Sequence, residues 1–189
     1  MEEQDDAIEQ IRHYVWSGFY QPDEVAEIVC GELFEPGVLD EDWVGERIAA
    51  EFAQKRTEEA SWETPTDCDR LDLAFAQLRQ RRIITLQNAG YTQSEGINDI
   101  SEEWHSAGGK DSDIEGYCFY HGQDLERAVR GEGLMLTFGD ILGGDDKGVV
   151  VGDIVREVME ANGFRVEWDG TIGQRFGVSG MRWQKRSVS

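Results

Sequence analysis

The sequence predicts an α/β chain, α+β overall, in which a helical N-terminal section packs on a small, mainly parallel sheet with an antiparallel edge strand at the C-terminus. Three observations predict it. Residues 1–66 repeat their apolar positions at three- and four-residue spacing, the period of helices. Beyond Tyr117, short apolar runs of strand length alternate with helical runs. Charge changes at the same place: residues 1–66 hold eighteen Asp and Glu against four Lys and Arg, whereas residues 67–189 hold twenty-one against fourteen. The division expected is therefore an acidic helical section over 1–65 and an α/β domain over 66–189. With 189 residues, 39% of them hydrophobic, the chain can bury a sizeable core.

The first helix carries Ile8, Ile11 and Val15 on one stripe and ends near Gly18. The second opens with Pro22, Asp23 and Glu24, residues that suit a helix N-terminus, and its stripe is Val25, Ile28, Val29 and Leu33. Glu35-Pro36-Gly37 makes a turn. A third helix runs from about Asp40 with Val44, Ile48 and Phe52 inward. After the connection Thr64-Pro65-Thr66, a helix buries Leu71, Phe75 and Leu78, and Ile83 to Leu86 is a strand. From Gly90 to Gly116 the chain is rich in Gly, Ser, Asn and Asp, so irregular backbone is expected, with a short helix at Ser101 to Trp104. Strand, helix, strand, helix, strand then follow over Tyr117 to His121, Asp124 to Arg130, Leu134 to Phe138, Gly148 to Ala161 and Phe164 to Trp168. That alternation predicts parallel pairing through right-handed crossovers. Arg175 to Trp183 reads as a last, antiparallel strand at one side.

A net charge of −21 disfavours nucleic acid or an anionic membrane as a direct ligand of a broad basic face. No run approaches the roughly 20 apolar residues of a spanning helix. The opening Met1-Glu2-Glu3-Gln4-Asp5-Asp6 lacks the positive charge of a secretory or transit signal, so a cytoplasmic location is expected. Cys30, Cys68 and Cys118 are odd in number and far apart, which predicts reduced, mostly buried thiols rather than disulfides or a zinc knuckle.

The segments Gly18-Phe19-Tyr20, Thr66-Asp67-Cys68-Asp69-Arg70-Leu71, Gln87 to Gln93 (QNAGYTQ), Gly116 to Ala128 (GYCFYHGQDLERA) and Arg165 to Gly170 (RVEWDG) together resemble a bacterial family catalogued only as a domain of unknown function. The resemblance spans nearly the whole length. It implies no activity, substrate or catalytic residue that could be carried over.

Chemistry is therefore sought in the residues themselves. In a parallel sheet the loops after the strands open on one edge, where ligands settle. That edge would gather His121, Gln123 and Asp124 after one strand, Asp140 after the next and Asp169 after the third. His121 with Asp124 and Asp169 would form the catalytic set, an imidazole oriented by carboxylates, and Gln123 and Asp140 would line the binding site. The same residues also read as helix caps and turn formers. Asp140, Asp145, Asp146 and Asp169 match no metal loop, so no metal and no cofactor are expected. Gly131-Glu132-Gly133 and Gly143-Gly144 are too short to cradle a phosphate. Trp43, Trp62 and Trp104 are candidate surface aromatics for an interface. Two functions follow: a protein-binding or regulatory protein that meets a basic partner through residues 1–66 and 90–116, or a small hydrolase using His121.

Overall fold

In the computed structural model, which describes residues 2–187, helix α1 (Glu2–Ser17) buries Ala7, Ile11 and Val15 on one stripe. The stripe lies one residue off the expected line at its start, so Ile8 is exposed. Helix α2 (Pro22–Glu27) continues as a π-helical turn over Ile28–Leu33, closed by the Phe34 N–H on the Val29 carbonyl, and buries Val25 and Val29. Helix α3 (Glu41–Glu59) begins at Asp40, whose side chain accepts the Trp43 N–H at 2.9 Å, and turns Val44, Ile48 and Phe52 into the same core.

The last turns of α1 and α3 expose carbonyls that the helices themselves cannot satisfy. Cationic and aromatic side chains take them. The fully buried Lys55 donates from Nζ to the Val15 carbonyl at 2.9 Å and lies 3.6 Å from Glu59. Trp183 Nε1 donates to the Ser17 carbonyl at 3.0 Å, and Arg186 donates to the Glu59 carbonyl at 3.1 Å. The C-terminal segment thereby belongs to the helical unit: one compact unit comprises the chain up to Thr66 with the segment from Trp183, the other Asp67–Arg182. Trp183, expected in a terminal strand, packs instead on Phe19.

The second unit is built on a five-stranded sheet of order β1-β2-β3-β5-β4, with β1 (Ile83–Leu86), β2 (Gly116–Phe119), β3 (Leu134–Asp140), β4 (Arg165–Glu167) and β5 (Phe176–Ser179). Helix α4 (Asp67–Gln80) packs on β1, and α7 (Asp145–Ala161) on β3 and β2. Gly116 permits that approach: a Cβ there would stand 2.5 Å from a Val151 methyl. On the opposite face Ile84 and Phe119 form a core with Ala89 and Ile100.

Three expectations are corrected. Only β1 and β2 run parallel, so the sheet is mostly antiparallel. Between β2 and β3 lies α6 (Gly122–Val129), whose eight residues span about 12 Å. The helix alone is shorter than the seven residues of β3, about 23 Å, and the chain does not cross the sheet. The chain turns back at the edge where β2 ends. Second, β5 lies between β3 and β4 rather than at the sheet's edge. Third, the stretch 90–116 is not irregular throughout. It holds a fourteen-residue helix, α5 (Gln93–Ser106), opened by a capping box in which Thr92 accepts the Glu95 N–H and Glu95 accepts the Thr92 N–H.

Candidate functional site

Because β2 and β3 are antiparallel, with Gly116 opposite Asp140, the residues expected on one rim are parted. His121, Gln123 and Asp124 follow the end of β2, while Asp140 ends β3 at the opposite edge of the sheet. Asp169 follows β4, which runs in the direction of β3 and is separated from it by β5. Its Oδ1 accepts the Thr171 N–H and hydroxyl, both at 2.8 Å, so this carboxylate closes its own turn. Asp140 Oδ2 accepts the Gly144 N–H at 2.9 Å and fixes the loop into α7. Gln123 is exposed, its N–H bound to the Tyr91 carbonyl at 3.1 Å.

His121 and Asp124 do meet. His121 stands at the start of α6, and Asp124, three residues on, reaches back so that Oδ2 accepts the His121 backbone N–H at 3.2 Å and lies 3.1 Å from its Nε2. Sequence reasoning missed the third member. Arg175, just before β5, donates through Nη2 to the same oxygen. The Asp124 side chain is 3% exposed, and His121 4%. Burial lowers the His121 pKa, the Asp124 charge raises it and the Arg175 charge lowers it, with a net downward shift. Burial thus favours the neutral ring. Its Nδ1 and the Nε of Arg175 are buried without a hydrogen-bond partner among the described residues. The contact is that of an acid and base couple, but its burial is that of a tether joining α6 to β5, with no open face for a substrate.

The aromatic candidates are half-buried. Trp43 packs on the helical core beneath Arg47, whose guanidinium lies 5.8 Å from the ring. Trp62 is covered by Arg186 at 5.8 Å, and Trp104 packs on the α5 face of the sheet beside His105. Cys68 and Cys118 are buried, and burial pushes the Cys118 thiol far above its ordinary pKa. Among the described residues no three His, Cys, Asp or Glu side chains are grouped to hold a metal ion. No helix among them is long and apolar enough to cross a membrane.

Open concavity lies elsewhere. In the helical unit a cavity of about 360 Å³ runs between α2 and α3, walled by Ala26, Gly45 and Ala49 and floored by Ile48 and Phe52, with Asp23 and Arg56 at its rim. In the second unit a cleft of about 390 Å³ opens at the Asp140 edge of the sheet.

The molecule is thus an α+β protein with a mixed sheet, an acidic helical unit and a histidine-centred tether. Over residues 1–187 the chain matches the family described as a domain of unknown function (DUF6891), and it belongs to that family. No curated protein and no solved structure matches it.

Proposed function

We propose that this protein is a cytoplasmic binding or regulatory module whose helical unit receives a basic, amphipathic helix of a partner protein in the groove between α2 and α3. One observation carries the reading. Over residues 3–66 fifteen acidic side chains are exposed, and the exposed cations are Arg12, Arg47 and Arg56. Small residues at Gly45 and Ala49, four apart on α3, keep an apolar groove open within that acidic surface. Acid around the groove speeds the approach of a basic partner, and apolar burial inside it slows departure. The reduced state of Cys30, Cys68 and Cys118 suits the cytoplasm.

The test uses a labelled Lys/Leu amphipathic peptide of about 18 residues, long enough to hold several helical turns, with its Glu/Leu counterpart and an oligolysine as controls. Fluorescence anisotropy with the full chain should show binding of the Lys/Leu peptide alone, weakening at least about tenfold between low and high salt. Ala49→Trp, at an exposed helical position, should fill the groove and weaken it similarly. Oligolysine binding as tightly, or an Ala49→Trp protein that binds unchanged, would refute the groove.

A further inference from the structure

We propose that the cleft at the Asp140 edge of the sheet binds a small aliphatic carboxylate, with its hydrocarbon tail against Ile83, Val151 and Ile154 and its carboxylate on Lys147. This site is independent of the peptide groove, since it belongs to the other unit.

Three features support it. The volume of about 390 Å³ falls within the range of small-molecule pockets, and the lining is dominated by Ile, Leu and Val side chains from β1, α7 and the β3–α7 loop. Two large aliphatic side chains at the mouth remain in water: Leu142 is 64% exposed and Val150 58% exposed. Val150 follows Val149 and precedes Val151 on α7, and only Val151 of the three is buried. Apolar surface held open beside a cavity is the pattern of a binding groove rather than of a solvated helix face.

The charges at the mouth select the headgroup. Glu115 is engaged by Arg82 at 2.9 Å, and Asp140 by the Gly144 N–H. Arg81 is shared with Glu157 at 3.0 Å. Lys147 is exposed, lines the cleft and makes no hydrogen bond or ion pair among the described residues. Asp140 keeps its charge but is 7% exposed and holds the Gly144 N–H, whereas Lys147 is the exposed cation of the lining without an acidic partner among the described residues, and it complements an anionic head on an apolar tail. An alkyl ammonium of the same length would instead meet Lys147 as a like charge.

Isothermal titration of the full chain with hexanoate, octanoate and decanoate, and with octan-1-ol and octylamine, tests this. Octanoate should bind at one site per chain, with affinity rising about fourfold for each methylene added, as hydrocarbon burial predicts. Octylamine should bind at least about tenfold more weakly, the size of a charge preference at a half-open site. Lys147→Glu should reverse that preference, while Leu142→Asp should weaken every ligand in the series. Both substitutions are at exposed positions, and an unchanged circular dichroism spectrum would show that the fold is kept. Equal affinity for octanoate and octylamine, octanoate binding untouched by Lys147→Glu, or no binding by the folded protein would each overturn the proposal. A concentration-dependent dimer in sedimentation that Leu142→Asp dissolves would overturn it too, giving the cleft to a second copy of the chain.

Discussion

Replacing Arg175 with methionine keeps most of the side-chain volume but takes from Asp124 the cation that compensates its burial. The carboxylate is 3% exposed and cannot recover water without moving α6. Breaking a fully buried ion pair from one side costs about 3–5 kcal/mol. Two features lower the figure here. The Arg175 side chain is 26% exposed, so solvent already screens part of the pair, and Asp124 keeps its contacts to the His121 N–H and Nε2. A loss of about 2–3 kcal/mol is expected from that discount.

The measurement is urea unfolding, with amide exchange of β2 and β5 assigning the loss to the second unit. Asp124→Asn should be comparably costly, since it leaves the Arg175 charge facing a neutral amide. Removing both charges together should cost less than the sum of the single losses, because no uncompensated ion remains. If Arg175→Met cost under about 1 kcal/mol, as a surface ion pair does, the tether would be refuted.

Two further outcomes are expected. The lowered His121 pKa means that below its ordinary value of 6.5 the unfolded chain binds the proton more readily than the folded one. Stability from this group is complete above that pH and declines as pH falls through the window below it, and His121→Asn should remove that part of the pH dependence measured by urea midpoints. Two glycine substitutions should differ in sign: at Gly45 a Cβ meets nothing within 4 Å, so Gly45→Ala should stabilise α3 by about 0.5–1 kcal/mol. At Gly96 it would stand 2.3 Å from the Phe119 ring, so Gly96→Ala should destabilise by about 1–3 kcal/mol. Thermal melts of the pair check both.

The helical period was legible wherever one face is buried, as in Val44, Ile48 and Phe52 or Leu71, Phe75 and Leu78. Strand direction was not, because alternating elements look the same whether the connecting helix crosses the sheet or turns back at its edge. In the stretch 90–116 glycine content outweighed a short signal, Thr92 three residues before Glu95, that specifies a helix start. Of the candidate site, the pairing of His121 with Asp124 was readable because both follow the strand expected from Tyr117, and the helix start then brings them into contact. Arg175 was not, since it is fifty-one residues from its partner and no local pattern marks it. The open cleft did leave a trace: Val149, Val150 and Val151 cannot all face inward on a helix, and Val150 lies off the stripe formed by Val151, Val155 and Val158.

The two proposed ligands respond oppositely to the charge of the chain. A protein at −21 attracts a basic peptide and repels a carboxylate from a distance, and salt weakens both effects once separations exceed about 10 Å. The peptide loses its attraction as salt is added. The carboxylate loses a repulsion, while its contact with Lys147, made at hydrogen-bond range, is screened less. One salt series therefore separates specific binding in the cleft from general electrostatic adhesion: peptide affinity should fall, and octanoate affinity should hold or rise. If octanoate weakened in parallel with the peptide, Lys147 would be acting only as a diffuse surface charge, and the aliphatic floor beneath it would have no part in choosing the ligand.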